Sequence, residues 1–147
     1  YNYRITNLSA AIFNSQWSRL PKILEKRTAI FNYYHEYICK SIDMNFQDNL
    51  TASPWLYTLV LPINETERNK LRILLRDKGI ETRPGFTVIS QMSHLQSYLR
   101  VQENFSVSSV LSKGTISLPT YNQLSKQSIE FIVDILIENL WNVRNNN

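Results

Sequence analysis

Trp55-Leu56-Tyr57-Thr58-Leu59-Val60-Leu61-Pro62 is the stretch on which the reading of the fold turns. Aromatic and branched side chains crowd it and a proline ends it, which predicts a β-strand. Just downstream, Asn64 followed by Glu67 has the spacing of a capping box. The helix it opens carries Leu71, Leu74 and Leu75 on one face, and Gly79 falls where a left-handed residue closes a helix. Residues 80–83 then read as a second short strand stopped by Pro84. The alternation repeats: a helical stretch through Val107, Val110 and Leu111, a stop at Lys113 and Gly114, a third strand over 115–118, and Pro119. Ile129, Ile132, Val133, Leu136 and Leu140 recur at helical spacing and predict an amphipathic C-terminal helix, with Asn145, Asn146 and Asn147 as a frayed tail.

Upstream, Leu8, Ala11, Ile12, Leu20, Ile23, Leu24, Ile30, Phe31, Tyr34 and Ile38 recur at three- and four-residue steps, with Thr6 as the N-cap. Pro21 lacks an amide donor, so the helix is expected to kink or restart there. A continuous helix over 6–40 would be roughly 50 Å long at about 1.5 Å per residue, against about 30 Å for a domain of this size. One end is expected to overhang and pack on a body outside the chain. The fold class is therefore α/β: a long N-terminal helix, then a small three-stranded antiparallel or mixed sheet covered by helices. Residues 1–147 read as one small domain, with 1–40 as an interdomain or interface segment.

At 147 residues and 43% hydrophobic, the chain is long enough for a core without staples. Cys39, the single cysteine, permits no internal disulfide and no cysteine cluster, which fits a reducing, cytoplasmic setting. His35 and His94 offer little metal chemistry, and no metal site is expected. The most apolar run, 129–141, is broken by Glu130, Asp134 and Glu138, so no membrane span is expected. The net charge of +4 raises a nucleic-acid reading. Its lysines and arginines alternate with acids, as in Glu25-Lys26-Arg27 and Arg72-Arg76-Asp77-Lys78, and read as solvated mixed-charge faces without a binding stripe. The chain opens on Tyr1, not methionine, and a fragment or a cut chain is expected.

Glycine stands only at 79, 85 and 114, and two of these are helix stops. No glycine-rich loop is left to cradle a phosphate, which excludes Walker and Rossmann sites. No Ser, His and Asp set suggests a nucleophilic triad. His35, among Tyr33, Tyr34 and Tyr37, reads as an interface or boundary residue, and His94 sits in a loop. Glu65, Glu67 and Glu81 read as cap and surface charge. Two polar stretches stand apart. Tyr1-Asn2-Tyr3-Arg4 gathers an amide, a guanidinium and two phenols able to bind an anion, or is a ragged terminus. Glu81-Thr82-Arg83-Pro84-Gly85-Phe86 puts an arginine at a strand end before a stiff turn and a ring, which is either a ligand loop or a simple turn.

Tyr1-Asn2-Tyr3-Arg4-Ile5-Thr6-Asn7-Leu8 followed by Ala10-Ala11-Ile12 resembles the signature after the catalytic domain of DegT/StrS-type sugar aminotransferases. The blocks Trp55-Leu56-Tyr57, Gly79-Ile80-Glu81-Thr82-Arg83-Pro84-Gly85-Phe86 and Ser117-Leu118-Pro119-Thr120-Tyr121 keep that family's order over almost the whole chain. The resemblance implies the small C-terminal domain of a fold-type I enzyme. It implies pyridoxal phosphate as cofactor, glutamate as amino donor, a nucleotide-linked keto-sugar as substrate, and a homodimer. It places Asn2 on the cofactor phosphate of the neighbouring subunit, Arg4 near the active-site mouth, and the segment 83–92, with Arg83, Phe86 and Ser90, along the sugar-nucleotide pocket. Many relatives carry histidine at the position of Ser90 and tyrosine-proline at Thr87-Val88, so this chain departs from the pattern there. The family's Schiff-base lysine, pyridinium carboxylate and ring platform precede Tyr1. None of them is assigned to Lys22, Lys26, Lys40, Lys70, Lys78, Lys113 or Lys126, so no catalytic residue is expected in this chain and the chain alone is expected to be inactive. A dehydratase of the same fold and a non-catalytic interaction module are the rival readings.

Overall fold

The computed structural model describes residues 3–41, 54–99 and 105–145. Helix α1 (Asn7–Trp17) starts where expected, with the Thr6 hydroxyl accepting from the Ser9 backbone N–H at 3.2 Å. Helix α2 (Leu20–Ser41) follows after a break at Ser18 and Arg19, so the expected rod is two helices. Pro21 lies in the first turn of α2, where a missing N–H leaves no helical bond unmade. No residue from 7 to 29 is buried, although Leu8, Ile12, Phe13 and Trp17 are large and apolar. The core begins at Ile30 and runs along α2 through Tyr34 and Ile38.

Strand β1 (Tyr57–Val60), helix α3 (Glu65–Asp77), strand β2 (Arg83–Pro84), helix α4 (Ser106–Gly114), strand β3 (Thr115–Leu118) and helix α5 (Lys126–Asn145) complete the domain, with 3-10 turns at Ile89–Gln91 and Ser93–Tyr98. The sheet is antiparallel in the order β1-β3-β2. The second strand was expected over 80–83 and is instead two residues long at Arg83 and Pro84. Ile80 is still occupied in ending α3, donating its N–H to the Leu75 carbonyl while Gly79 donates to Arg76, both at 2.9 Å. Pro84 is tolerated because β2 is an edge strand that needs no donor on its open side.

Alternation along β1 puts Tyr57 and Leu59 on one face, opposite Leu118 and Ile116 of β3. That face packs on Tyr34 and Ile38 of α2, Leu71 and Leu75 of α3, and Ile129, Val133 and Leu136 of α5. Arg83, Ser117 and Thr58 are register partners and share the other, polar face. The Asn64 capping box closes at both bonds, 2.8 Å from Asn64 N–H to Glu67 and 3.0 Å from Glu67 N–H to Asn64. Arg68, only 7% exposed, donates to the Ser112 carbonyl at 2.8 Å and pairs with Glu65 at 3.1 Å, tying α3 to α4.

The two glycine stops work differently. Gly79 has φ of 79°, the left-handed region. Gly114 does not; a Cβ there would lie 2.1 Å from the Leu61 carbonyl oxygen, so it allows close approach of α4 to the end of β1. Gly79→Ala is expected to cost about 1 kcal/mol from backbone strain. Gly114→Ala is expected to cost more, about 2–3 kcal/mol, because the clash is with backbone that cannot swing aside. Urea denaturation of both variants beside the parent chain checks the order.

Candidate functional site

At the C-terminal end of β3 the chain turns through Pro119, Thr120 and Tyr121 towards α5, and this turn lines a cleft of about 720 Å³. Its walls carry Glu81, Arg83, Ser117, Tyr121, Gln127 and Ser128, with Trp55 and Phe131 as apolar contact. Side chains from the core hold those walls in place. Tyr34 donates to the Pro119 carbonyl at 3.0 Å. Thr120 and Arg27 both donate to the Trp55 carbonyl at 2.8 Å. Thr58 and Ser117 share a hydroxyl–hydroxyl bond at 2.9 Å across β1 and β3.

Arg83 reaches this cleft because β2 pairs it with Ser117. Phe86 and Ser90 do not join it. The chain leaves β2 at Gly85, whose N–H donates to the Thr115 carbonyl at 3.0 Å, and so runs towards the start of β3, away from the Pro119 turn. Phe86 is 81% exposed there. Ser90 is half-buried in the first 3-10 turn, its carbonyl accepting from Gln96 at 2.6 Å. Arg4 is exposed ahead of α1, and Asn2 lies outside the described residues. Of the residues expected along the sugar-nucleotide pocket, Arg83 lines this cleft, while Phe86, Ser90 and Arg4 lie outside its lining.

Lys22, Lys26 and Lys40 lie on α2, Lys70 on α3, Lys78 at its C-cap, Lys113 on α4 and Lys126 at the start of α5, and none lines the cleft. His35 sits on α2 with its Nε2 3.8 Å from Cys39 Sγ, and His94 in the second 3-10 turn. Among the described residues no group of three or more His, Cys, Asp or Glu side chains could hold a metal ion. No described helix is long and apolar enough to cross a membrane.

Sequence reasoning missed Tyr121, Gln127 and Ser128 as cleft residues and read Glu81 as surface charge. The available signal was Thr120-Tyr121 directly after a strand closed by proline, where a turn exposes polar side chains at a sheet end. It also read Arg27 and Arg72 into mixed-charge faces. Both are half-buried and bond backbone carbonyls, Arg27 at Trp55 and Arg72 at Thr82, the latter at 3.2 Å.

Tyrosines join α2 to the start of α5 beside the cleft. Tyr33 donates to Glu130 and Tyr37 donates to Asp134 at 3.1 Å. The carboxylate partners favour the neutral phenols, pushing Tyr33 from 10.0 to about 12 and raising Tyr37 as well. Burial raises Tyr34, and pushes Tyr57 up to about 12. Because the folded state favours the protonated form, this stabilisation is complete below pH 10 and is lost as pH rises through about 12. Melting temperature is expected to fall across that window, and Tyr33→Phe to fall less steeply there than the parent chain. Parallel slopes in thermal scans from pH 9 to 12 would contradict the assignment.

The family model described as the DegT/DnrJ/EryC1/StrS aminotransferase family matches residues 1–137. The GDP-perosamine synthase of Vibrio cholerae is 30% identical over 145 residues, covering 97% of this chain and 39% of that protein. The PLP form of Spr1654 of Streptococcus pneumoniae, described as a sugar aminotransferase, superposes with a TM-score of 0.83 at 18% identity, over 95% of this chain and 37% of its own. An Escherichia coli GDP-4-keto-6-deoxy-D-mannose-3-dehydratase superposes at 0.69 with 21% identity, over 92% of this chain and 36% of its own. The chain spans about two fifths of the length of the curated relatives it matches.

Proposed function

The chain belongs to the DegT/DnrJ/EryC1/StrS aminotransferase family, and from that membership we propose that its parent protein moves an amino group from glutamate onto a keto-sugar carried by guanosine diphosphate, with pyridoxal phosphate as cofactor. The observation that carries this reading is the family match over 1–137, and the name of the Vibrio cholerae relative supports the guanosine nucleotide. When bound, the cofactor carries the amino group between donor and acceptor. No lysine lines the cleft at the Pro119 turn, and no residue there is assigned to the cofactor's covalent anchor. The chain alone is inactive on this reading, and the covalent anchor comes from the rest of the parent.

Within that reading, Asn2 meets the cofactor phosphate of a second subunit in a homodimer, Arg4 stands at the mouth, and Arg83, Phe86 and Ser90 contact the sugar nucleotide. The exposure of Phe86 supports a surface role for that segment. On this reading the uncovered apolar side chains of α1 pack against a further part of the parent, and their exposure supports it. Its work is placed in the cytoplasm, where sugar nucleotides are made. The dehydratase reading draws on a fold likeness that the aminotransferase structures share.

The test is made on the parent protein with its catalytic remainder. Amino transfer from glutamate to a GDP-linked keto-sugar is expected, followed by product mass. Arg83→Ala is expected to raise KM for the sugar nucleotide about tenfold, the loss of one charge-assisted contact, with kcat changed less. Asn2→Ala is expected to weaken cofactor binding in an absorbance titration. A residue other than lysine at the anchor position, with sugar dehydration in place of transfer, would overturn the aminotransferase reading.

A further inference from the structure

The cleft at the Pro119 turn carries three half-exposed aromatic side chains, Trp55, Tyr121 and Phe131. Its volume of about 720 Å³ falls among clefts that take small organic ligands, roughly 300–1,000 Å³. Burial alternates along the wall at 80–83, with Ile80 and Thr82 turned inward and Glu81 and Arg83 turned outward into the cleft. A carboxylate thus stands two residues from a guanidinium on one face, about 6–7 Å apart at the backbone. Among the described residues neither side chain has an ion-pair or hydrogen-bond partner. Glu81 also borders the smaller cleft beside α3, yet it pairs with neither Arg72 nor Arg76 there. Both charges are therefore free to meet a ligand.

We propose that Glu81 selects the base of the nucleotide, its carboxylate accepting from the N1–H and the N2 amino group of guanine while the purine lies against the exposed rings. The placement rests on the guanosine diphosphate sugar proposed as substrate, and it assigns the two ends of that ligand. A phosphate is repelled by Glu81 and drawn to Arg83, so the diphosphate lies towards Arg83 and the base towards Glu81. Guanine presents two adjacent donors on one edge, which match the two oxygens of a carboxylate. Adenine presents an acceptor and a C–H in their place, and uracil a single donor between two carbonyl oxygens. A carboxylate at that edge therefore counts against both. The rings add stacking that any base can use. Affinity thus comes from Trp55, Tyr121, Phe131 and Arg83, and the choice of base from Glu81.

The test is binding of GDP, inosine diphosphate, ADP and UDP to the parent protein by isothermal titration calorimetry. Inosine diphosphate differs from GDP only in lacking the N2 amino group. It is expected to bind about tenfold more weakly than GDP, the loss of one charge-assisted hydrogen bond. In Glu81→Gln that preference is expected to vanish, because the amide sets a donor against the N2 amino group. Trp55→Ala is expected to weaken GDP and inosine diphosphate alike, about tenfold, and to leave their ratio unchanged. Glu81 and Trp55 are exposed, so neither variant disturbs the core. Equal affinity for GDP and inosine diphosphate, or a preference that survives Glu81→Gln, would mean that the carboxylate meets a sugar hydroxyl or solvent only. Either result would overturn the placement while the proposed amino transfer stands. UDP bound by the parent as tightly as GDP would overturn the guanosine reading and the placement with it.

Discussion

Ile116 and Leu118, at 0% and 1% exposure, are the constraint on which the rest of this domain depends. They sit on the central strand, and their neighbours on both sides are set by its register. Alternation along β3 sends Ser117 to the opposite face, so one short strand defines both the core and the polar face that receives Arg83. The helices are arranged to cover the apolar side: α5 packs on both α2 and α3, filling the space with Ile129, Val133 and Leu136. Each buried aliphatic side chain contributes roughly 1.5–3 kcal/mol of transfer free energy. A one-residue slip of β3 would turn Ile116 and Leu118 together onto the polar face and bring Ser117 into the core.

Aromatic residues extend this constraint to the cleft. Tyr34 stacks on Tyr57 with ring centroids 4.8 Å apart, and Phe31 meets Tyr57 edge-on at 5.4 Å. Tyr34 therefore has its ring in the core and its hydroxyl on the Pro119 carbonyl. The same side chain that completes packing between α2 and β1 fixes the turn lining the cleft. Arg27 does the parallel task one level further out, with its guanidinium on the Pro54 and Trp55 carbonyls. Rigidity at the cleft is inherited from burial below it.

Local signals were legible wherever a single residue decides backbone geometry. Thr6, the Asn64–Glu67 pair and Gly79 each act through bonds within one helical turn, and each sits where its residue type implied. Signals that depend on distant partners were not legible. Arg72 reads like a surface residue until Thr82 is folded against it, and Gly114 reads like an ordinary helix stop until Leu61 arrives within contact of its Cα. The displacement of β2 has the same cause, since the α3 cap claims Ile80 before the sheet can. At the site, the arginine was legible and its companions were not. Arg83 and Phe86 are close in sequence, but the antiparallel pairing sends them towards opposite ends of β3.

The position of the first buried residue separates two roles within the N-terminal region. Burial starts at Ile30, so the energy that folds this domain is gathered by the chain from there onward. Helix α1 contributes no buried side chain to that core, yet it carries Leu8, Ile12, Phe13 and Trp17, with Phe13 and Trp17 stacked at 5.6 Å. An amphipathic domain helix normally faces its own core. This one presents apolar rings away from it, and such side chains gain nothing in water beyond their mutual contact. Among the described residues no surface covers them.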